Sequence, residues 1–302
     1  SARLLERGIF MNGRLLGDMN IARVLEMNTP DFDPYEFFPE TTQDDWEPHL
    51  HWLKPHAMDP ISGNLVFPMQ SYVVRSKHHT ILIDSCVGND KERPFRPNWH
   101  RKNDSTYMDN LATLGLSPED VDIVMCTHLH PDHVGWNTKL LDGRWVPTFP
   151  NAEYVFSRKE FDYWKEFNQR RPLDHLIDSV LPIEAAGQAK LVANDHEIDD
   201  SVWLESTPGH TPDHFSVRLS SAGSDAVFTG DMIHSPIQTY HPDWAARPDY
   251  QNEIAGNTRR VFLEKYCESG VLVCTSHFPL PSAGLIVPDG NAFKFEYEEQ
   301  YW

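Results

Sequence analysis

Cys126-Thr-His-Leu-His-Pro-Asp-His-Val-Gly135 sets three histidines and an aspartate between positions 128 and 133. The run before it, Val121-Asp-Ile-Val-Met-Cys126, is short, apolar and β-branched, which predicts a buried strand. Pro131 fixes its own φ and lacks a backbone donor, so it suits the first turn of a helix and not a continuing strand. The cluster is therefore expected on a strand-to-helix turn. Side chains two apart in an extended segment point the same way, so His128 and His130 can share one ion while Asp132 and His133, beyond the bend, aim at a second point. Histidine and aspartate also serve solubility on surface loops. Four potential ligands on one turn at the end of a buried strand are instead the form that a metal-ligand set takes.

The rest of the chain gives this turn a frame. With 302 residues, 40% hydrophobic, the chain can bury a large core, and one compact enzyme-sized domain is expected. The net charge of 26 − 45 = −19 argues against a polyanion partner, so nucleic acid is not expected as substrate. No apolar stretch approaches the length of a membrane span, and Ser-Ala-Arg-Leu-Leu-Glu-Arg at the start lacks the apolar core of a signal peptide. No membrane association and a cytoplasmic location are the expectation, with an export signal removed ahead of Ser1 as the alternative. Cys86, Cys126, Cys267 and Cys274 show no C-x-x-C spacing and read as reduced thiols.

Along the chain, Ser71–Arg75 and Thr80–Asp84 have the pattern of a hairpin, and the spacing predicts a helix over Met108–Leu116, a capping turn at Ser117, a strand over Asn151–Phe156 and a helix over about 158–169. Further strands are predicted over Val202–Ser206, Phe215–Leu219, Ala226–Thr229 and Val271–Thr275, with a helix over about 257–268 before the last. Strands in both halves with helices between them predict an α/β protein of two sheets with helices outside. The stretch to about residue 68 reads as an irregular N-terminal extension of that single domain, and its segment from Met27 to Pro68 as a lid, a homodimer contact or a surface loop.

Three of the later strands end on polar turns: Thr207-Pro-Gly-His-Thr-Pro212, Gly230-Asp231 and Ser276-His277. Any one of these is explained by capping or turn formation. With the first cluster they make a set of five imidazoles and two carboxylates: His128, His130, Asp132, His133, His210, Asp231 and His277.

In this order and spacing the residues resemble the metallo-β-lactamase fold superfamily over roughly Gln70 to Pro288. The resemblance implies an αββα sandwich, two mixed β-sheets flanked by helices. It further implies that His128, His130 and His210 bind one divalent ion, that Asp132, His133 and His277 bind another, and that Asp231 bridges them. The nitrogen and oxygen donors suit zinc, with manganese, cobalt or iron admitted. Two such ions lower the pKa of a shared water and polarise the substrate oxygen, so metal-assisted hydrolysis by a bridging hydroxide is the reaction class expected. Asp132 is the candidate proton relay.

Within the superfamily, the larger acyl-homoserine lactonases and the methyl-parathion-hydrolase type are resembled most. Gly230-Asp-Met-Ile-His234 carries a histidine where smaller lactonases have a tyrosine, so His234 is a candidate for contact with substrate or for support of the ligands, a core histidine being the alternative. The expectation is a metal-dependent hydrolase of ester bonds that opens a neutral lactone or ester, with quorum quenching as one consequence. The alternatives are an organophosphate triesterase or arylesterase, a mono-iron oxidoreductase like the persulfide dioxygenases, and a non-catalytic relative, which the complete ligand set disfavours. Trp136 and Asn137 are expected at the entrance of the site, and Phe32, Phe37, Phe38 and Trp46 over it.

Overall fold

A computed structural model of the chain describes residues 13–301. The described residues divide into two compact units: residues 13–26 with Met69–Ala193 in the first, and Met27–Pro68 with Asn194–Tyr301 in the second.

The first unit is built on a mixed sheet with strand order β1-β2-β3-β4-β5-β8-β9, and the boundary between units falls inside β2 and β3. These strands are β1 (Arg14–Leu16), β2 (Met19–Phe32), β3 (Leu65–Arg75), β4 (Thr80–Ile83), β5 (Ile123–Met125), β8 (Glu153–Ser157) and β9 (Ala189–Val192). A small hairpin, β6 (Thr138–Leu141) with β7 (Arg144–Pro147), lies between β5 and β8 in the chain. The expected β3–β4 hairpin is present, with Tyr72 opposite Ile83. Its turn closes because Ser76 Oγ accepts from the backbone N–H of His78 and His79. β4, β5, β8 and β9 run parallel. Parallel strands need crossovers, and here the helices Thr106–Thr113 and Arg158–Arg170 lie in those connections. Tyr107, Leu111, Phe161, Leu176 and Ile183 from the helices pack on Val73, Leu82, Val124, Tyr154 and Phe156 from the strands, forming the core of this unit. The helix beginning at Arg158 is capped by Ser157, whose side chain accepts from the Glu160 N–H.

The second unit holds a mixed sheet with order β10 to β15: β10 (Val202–Ser206), β11 (Phe215–Ser221), β12 (Ser224–Phe228), β13 (Leu272–Cys274), β14 (Ala283–Asp289) and β15 (Ala292–Tyr297). Only β12 and β13 pair in parallel, and the helix Asn252–Tyr266 lies in the connection between them. Its Phe262, Leu263 and Tyr266 pack on Val227, Val273, Ile286 and Phe295. Both units are thus mixed sheets with helices packed on a face, the expected α/β class.

One expectation changes. The stretch before residue 68 is not irregular where it is described: β1 and β2 pair in register, and β2 continues for 14 residues. Its alternation is broken by Asn20, Arg23 and Glu26, which hid the strand period, yet Asn20 and Glu26 are buried. Glu26 earns its place by accepting from the backbone N–H of Val87 and from Trp136 Nε1. All four cysteines are free thiols, as expected. No helix among the described residues is long and apolar enough to cross a membrane.

Candidate functional site

Strand direction decides where the polar turns emerge. In the first unit β4 and β5 are parallel, so the turns that follow them leave the same edge of the sheet. In the second unit β10 and β12 are both antiparallel to β11, and β13 is parallel to β12, so the turns after β10, β12 and β13 also leave one edge. Carboxyl ends of strands are the usual place for sites in α/β sheets.

The first turn forms as the sequence predicts: β5 ends at Met125, and the helix Pro131–Val134 starts with His130 as its N-cap and Pro131 in its first turn. His128 and His130 offer ligand atoms within 4.8 Å of each other, and so do Asp132 and His133. The buried Asp84, which follows β4 with φ of 58°, holds this turn. One of its oxygens accepts from the Thr127 backbone N–H at 2.8 Å, and the other accepts from His133 Nδ1 at 2.8 Å. The two loops approach so closely that a Cβ on Gly135 would lie 1.9 Å from the Val87 carbonyl oxygen. Trp136 and Asn137 are interior residues and not entrance residues. Trp136 stacks on Tyr107 at 5.2 Å between ring centroids, and Asn137 Oδ1 accepts from Ser85 Oγ. Side chains able to hydrogen-bond or stack inside a core lose nothing by burial there.

In the second unit Gly209, at φ 126°, lets the turn after β10 pass the helix Asn252–Tyr266, since a Cβ there would lie 2.3 Å from Ala255 N. His210 then donates from Nδ1 to Asp249 Oδ1 at 2.8 Å. Burial by itself would raise the Asp249 carboxyl pKa, but the His210 hydrogen bond and the Arg259 charge outweigh it and hold the carboxyl well below the usual range. His277 donates from Nδ1 to the Pro68 carbonyl at 3.0 Å. Asp231 presents Oδ1 to His277 Nε2 at 3.1 Å and Oδ2 to His210 Nε2 at 3.6 Å. His234 Nε2 lies 3.3 Å from the same Oδ2, its ring edge-on to Phe37. Burial pushes the His234 imidazole below its ordinary pKa, so the ring is kept neutral. Phe37 therefore borders His234, whereas Phe32 packs on Phe37 and Phe67, and the buried Phe38 and Trp46 pack with the half-buried Trp244. His210, His234 and Asp249 also lie within ligand reach of one another. Asp249 is engaged by Arg259 and by the Ala246 N–H as well as by His210, which makes it the orienting partner of His210 and not a ligand.

These contacts test the fit to a metal. Carboxylates and carbonyls only accept, so His133, His210 and His277 each donate from Nδ1, and Nε2 of each faces a carboxylate oxygen. The Nε2 of a neutral imidazole is an acceptor, and it meets a carboxylate favourably when a cation lies between them. Ligands of one tetrahedral zinc ion at about 2.0–2.1 Å stand roughly 3.3 Å apart. The Nε2-to-carboxylate separations of 3.1 Å at His277, 3.6 Å at His210 and 3.7 Å from His133 to Asp132 bracket that value. Donors of this kind, with Nδ1 fixed from behind, fit a divalent ion.

The sequence from residue 66 to 265 matches the model of the metallo-beta-lactamase superfamily. The chain belongs to that superfamily. An N-acyl homoserine lactonase of Bacillus cereus is 28% identical over 182 residues, 55% of this chain and 64% of the lactonase. One from Azorhizobium caulinodans is 28% identical over 196 residues, again 64% of its length. The chain thus spans somewhat under two thirds of the curated relatives it matches. Among solved structures, the hydrolase AbOPH of the beta lactamase superfamily superposes with a TM-score of 0.79 at 25% identity, covering 95% of this chain and 98% of that one. AidC, a dizinc quorum-quenching lactonase bound to its product N-hexanoyl-L-homoserine, superposes at 0.75 and 22% identity over 94% and 96%, a likeness of fold.

This superfamily member also has a cavity of about 460 Å³ in its second unit, lined by Trp52, Tyr240, Leu280 and Phe295 among others. Pro236 and Pro279, each two residues beyond His234 and His277, belong to its wall. Asp84, Asp249, Arg259 and His214 support the candidate ligands from outside the ligand set that the sequence predicts. Asp84 was the one with a signal, an aspartate directly after a buried strand like Asp231; Asp249 and Arg259 lie in stretches without motif.

Proposed function

We propose that the protein is a metal-dependent hydrolase that opens a neutral lactone or ester, acyl-homoserine lactones first among them. The observation that carries this reading is the set of Nδ1-anchored imidazoles whose Nε2 atoms face carboxylates. The lactonase relatives support the lactone over the phosphotriester, and the charge of −19 disfavours anionic substrates.

In this reading His128, His130 and His210 would hold one divalent ion, Asp132, His133 and His277 would hold the other, and Asp231 would serve both. Zinc is the first choice, with manganese, cobalt or iron as alternatives. When bound, such a pair supplies Lewis acidity and an activated water. The protein's own groups do the rest. Asp231 suits the bridge because its two oxygens face different imidazoles. Asp84 and Asp249 fix the Nδ1 tautomers of His133 and His210 and turn both Nε2 atoms to the ions. Asp132 accepts and returns the proton that the leaving alkoxide needs. His234, kept neutral beside Asp231, steadies that carboxylate from the side of Phe37. The cavity lined by Trp52, Tyr240 and Phe295 takes the apolar part of the substrate.

The test is a hydrolysis panel of acyl-homoserine lactones, aryl esters, a phosphotriester and a β-lactam, run on protein stripped by chelator and reloaded with zinc. Metal-dependent turnover that is highest on a neutral lactone or ester is expected. A higher rate on the phosphotriester or the β-lactam refutes the substrate class, and full activity with one bound iron refutes the two-ion reading.

A further inference from the structure

His214 is four residues beyond His210 and wholly buried. Its Nε2 accepts the backbone N–H of Asp231 at 3.0 Å. An imidazole that accepts on Nε2 carries its proton on Nδ1, and Nδ1 lies 2.9 Å from Thr207 Oγ1, to which it donates. Thr207 then has its hydroxyl proton for Ser216 Oγ at 3.1 Å, and Ser216 donates to the Thr229 carbonyl at 3.1 Å. Every donor in this chain points the same way, from Asp231 N–H through His214, Thr207 and Ser216 to Thr229 O. Thr207, Ser216 and Thr229 are buried as well, so no water competes for these bonds.

The chain of bonds joins three neighbouring strands at the edge where the turns emerge. Thr207 directly follows β10 and opens the turn that carries His210; Ser216 is in β11; Thr229 directly follows β12, two residues before Asp231. A second bond, Thr207 N–H to the His214 carbonyl at 3.0 Å, closes the loop on itself. Asp231 has φ −97° and ψ 19°, outside the helical range of the turn it sits in, and the bond to His214 anchors its backbone N–H in that conformation.

We infer that His214 is a positioning residue: through the relay Thr207–His214–Asp231 it sets the spacing between Asp231 and His210, and hence the affinity of the centre for its metal. The inference rests on Asp231 being a ligand, as proposed above. Its test is zinc affinity, measured by competition with a chromophoric chelator, together with zinc content after gel filtration. His214→Leu keeps the bulk and removes the acceptor; His214→Gln restores an acceptor at the end of a side chain of similar reach. Thr207→Val removes the hydroxyl at constant shape, and Thr207→Ser keeps it. Outer groups that orient ligands typically contribute 10–100-fold in metal affinity. His214→Leu and Thr207→Val should therefore lose about tenfold or more, while His214→Gln and Thr207→Ser remain close to wild type.

Equal affinity in all four variants, or equal loss in all four, overturns the relay, the second because packing alone would then explain the effect. Asp231→Ala serves as the reference. If it binds zinc like wild type, the ligand assignment fails. If it loses zinc while His214→Leu and Thr207→Val do not, only the relay fails.

Discussion

Arg259→Met is the perturbation that most directly weighs what lies behind the ligands. The Arg259 and Asp249 side chains are 0% exposed, and the guanidinium makes three contacts: Asp249 Oδ2 at 3.2 Å, the Pro242 carbonyl at 2.6 Å and the Trp244 carbonyl at 3.3 Å. Methionine fills much of the same volume and donates to none of them. Removing one member of a buried ion pair costs about 3–5 kcal/mol, because the other charge stays buried. Asp249 keeps hydrogen bonds from His210 Nδ1 and the Ala246 N–H, and the Trp244 carbonyl keeps the Gln238 amide. That places the expected loss at the lower end, ~3 kcal/mol. The assay is urea unfolding of the metal-free protein followed by circular dichroism, for wild type, Arg259→Met, Asp249→Asn and the double variant. The two substitutions touch one interaction, so the double variant should fall short of the sum by about 0.5–3 kcal/mol. Zinc affinity should fall as well, since Asp249 loosens and His210 with it. A loss no larger than the ~0.5 kcal/mol typical of a surface change, or full additivity, refutes the reasoning.

Asp231→Ala should lose at least one ion and reduce turnover by orders of magnitude, checked by metal analysis and steady-state kinetics; retention of both ions and near-normal rate would count against the bridge. His234→Ala should lower turnover with metal content unchanged, and loss of metal would make His234 a ligand. If the cavity takes the acyl part, kcat/KM should rise severalfold per added methylene, at about 0.8 kcal/mol each, until the space is full, and Lys294→Trp at its wall should flatten that series while sparing short chains. Burial would raise the Asp178 carboxyl pKa, but the Arg93 pair at 2.8 Å and 2.9 Å outweighs it and holds the carboxyl below its ordinary value. A folded pKa below the unfolded one, about 3.9, means stability that is present above about pH 4 and lost as pH falls further. Unfolding midpoints measured from pH 6 to pH 3 should drop at the acid end in wild type and drop less in Asp178→Asn.

The strands that carry the candidate ligands were legible because their apolar runs stop at polar turns. β10 begins and ends where the sequence predicts, and the helix from Arg158 differs by one residue at its end. β9, β14 and β15 were not legible: each carries exposed or half-exposed residues, and only pairing with a neighbour makes the segment a strand. Among the site residues, those that touch chemistry announced themselves by type and spacing. The residues behind them did not. Asp249 is 39 positions from His210, and Arg259 differs from any surface arginine only in having a buried carboxylate to meet. Trp136 and Asn137 show the converse. Adjacency in sequence to a ligand turn suggested an entrance, but the close approach of the 84–88 loop to that turn draws both side chains inward.

That close approach also bears on how a mutational scan of this protein would read. Gly135 has an ordinary helical φ of −59°, so no backbone preference reserves the position for glycine; space alone does. Alanine, usually the mildest replacement, would force the Val87 carbonyl and the ligand turn apart, and activity should vanish as it should on losing a ligand histidine. A survey that scores activity alone would rank Gly135 among the ligands. Scored again for zinc binding and for folding without metal, the two kinds of position separate: a missing imidazole leaves a folded chain that holds less zinc, while Gly135→Ala disturbs the fold whether zinc is present or not.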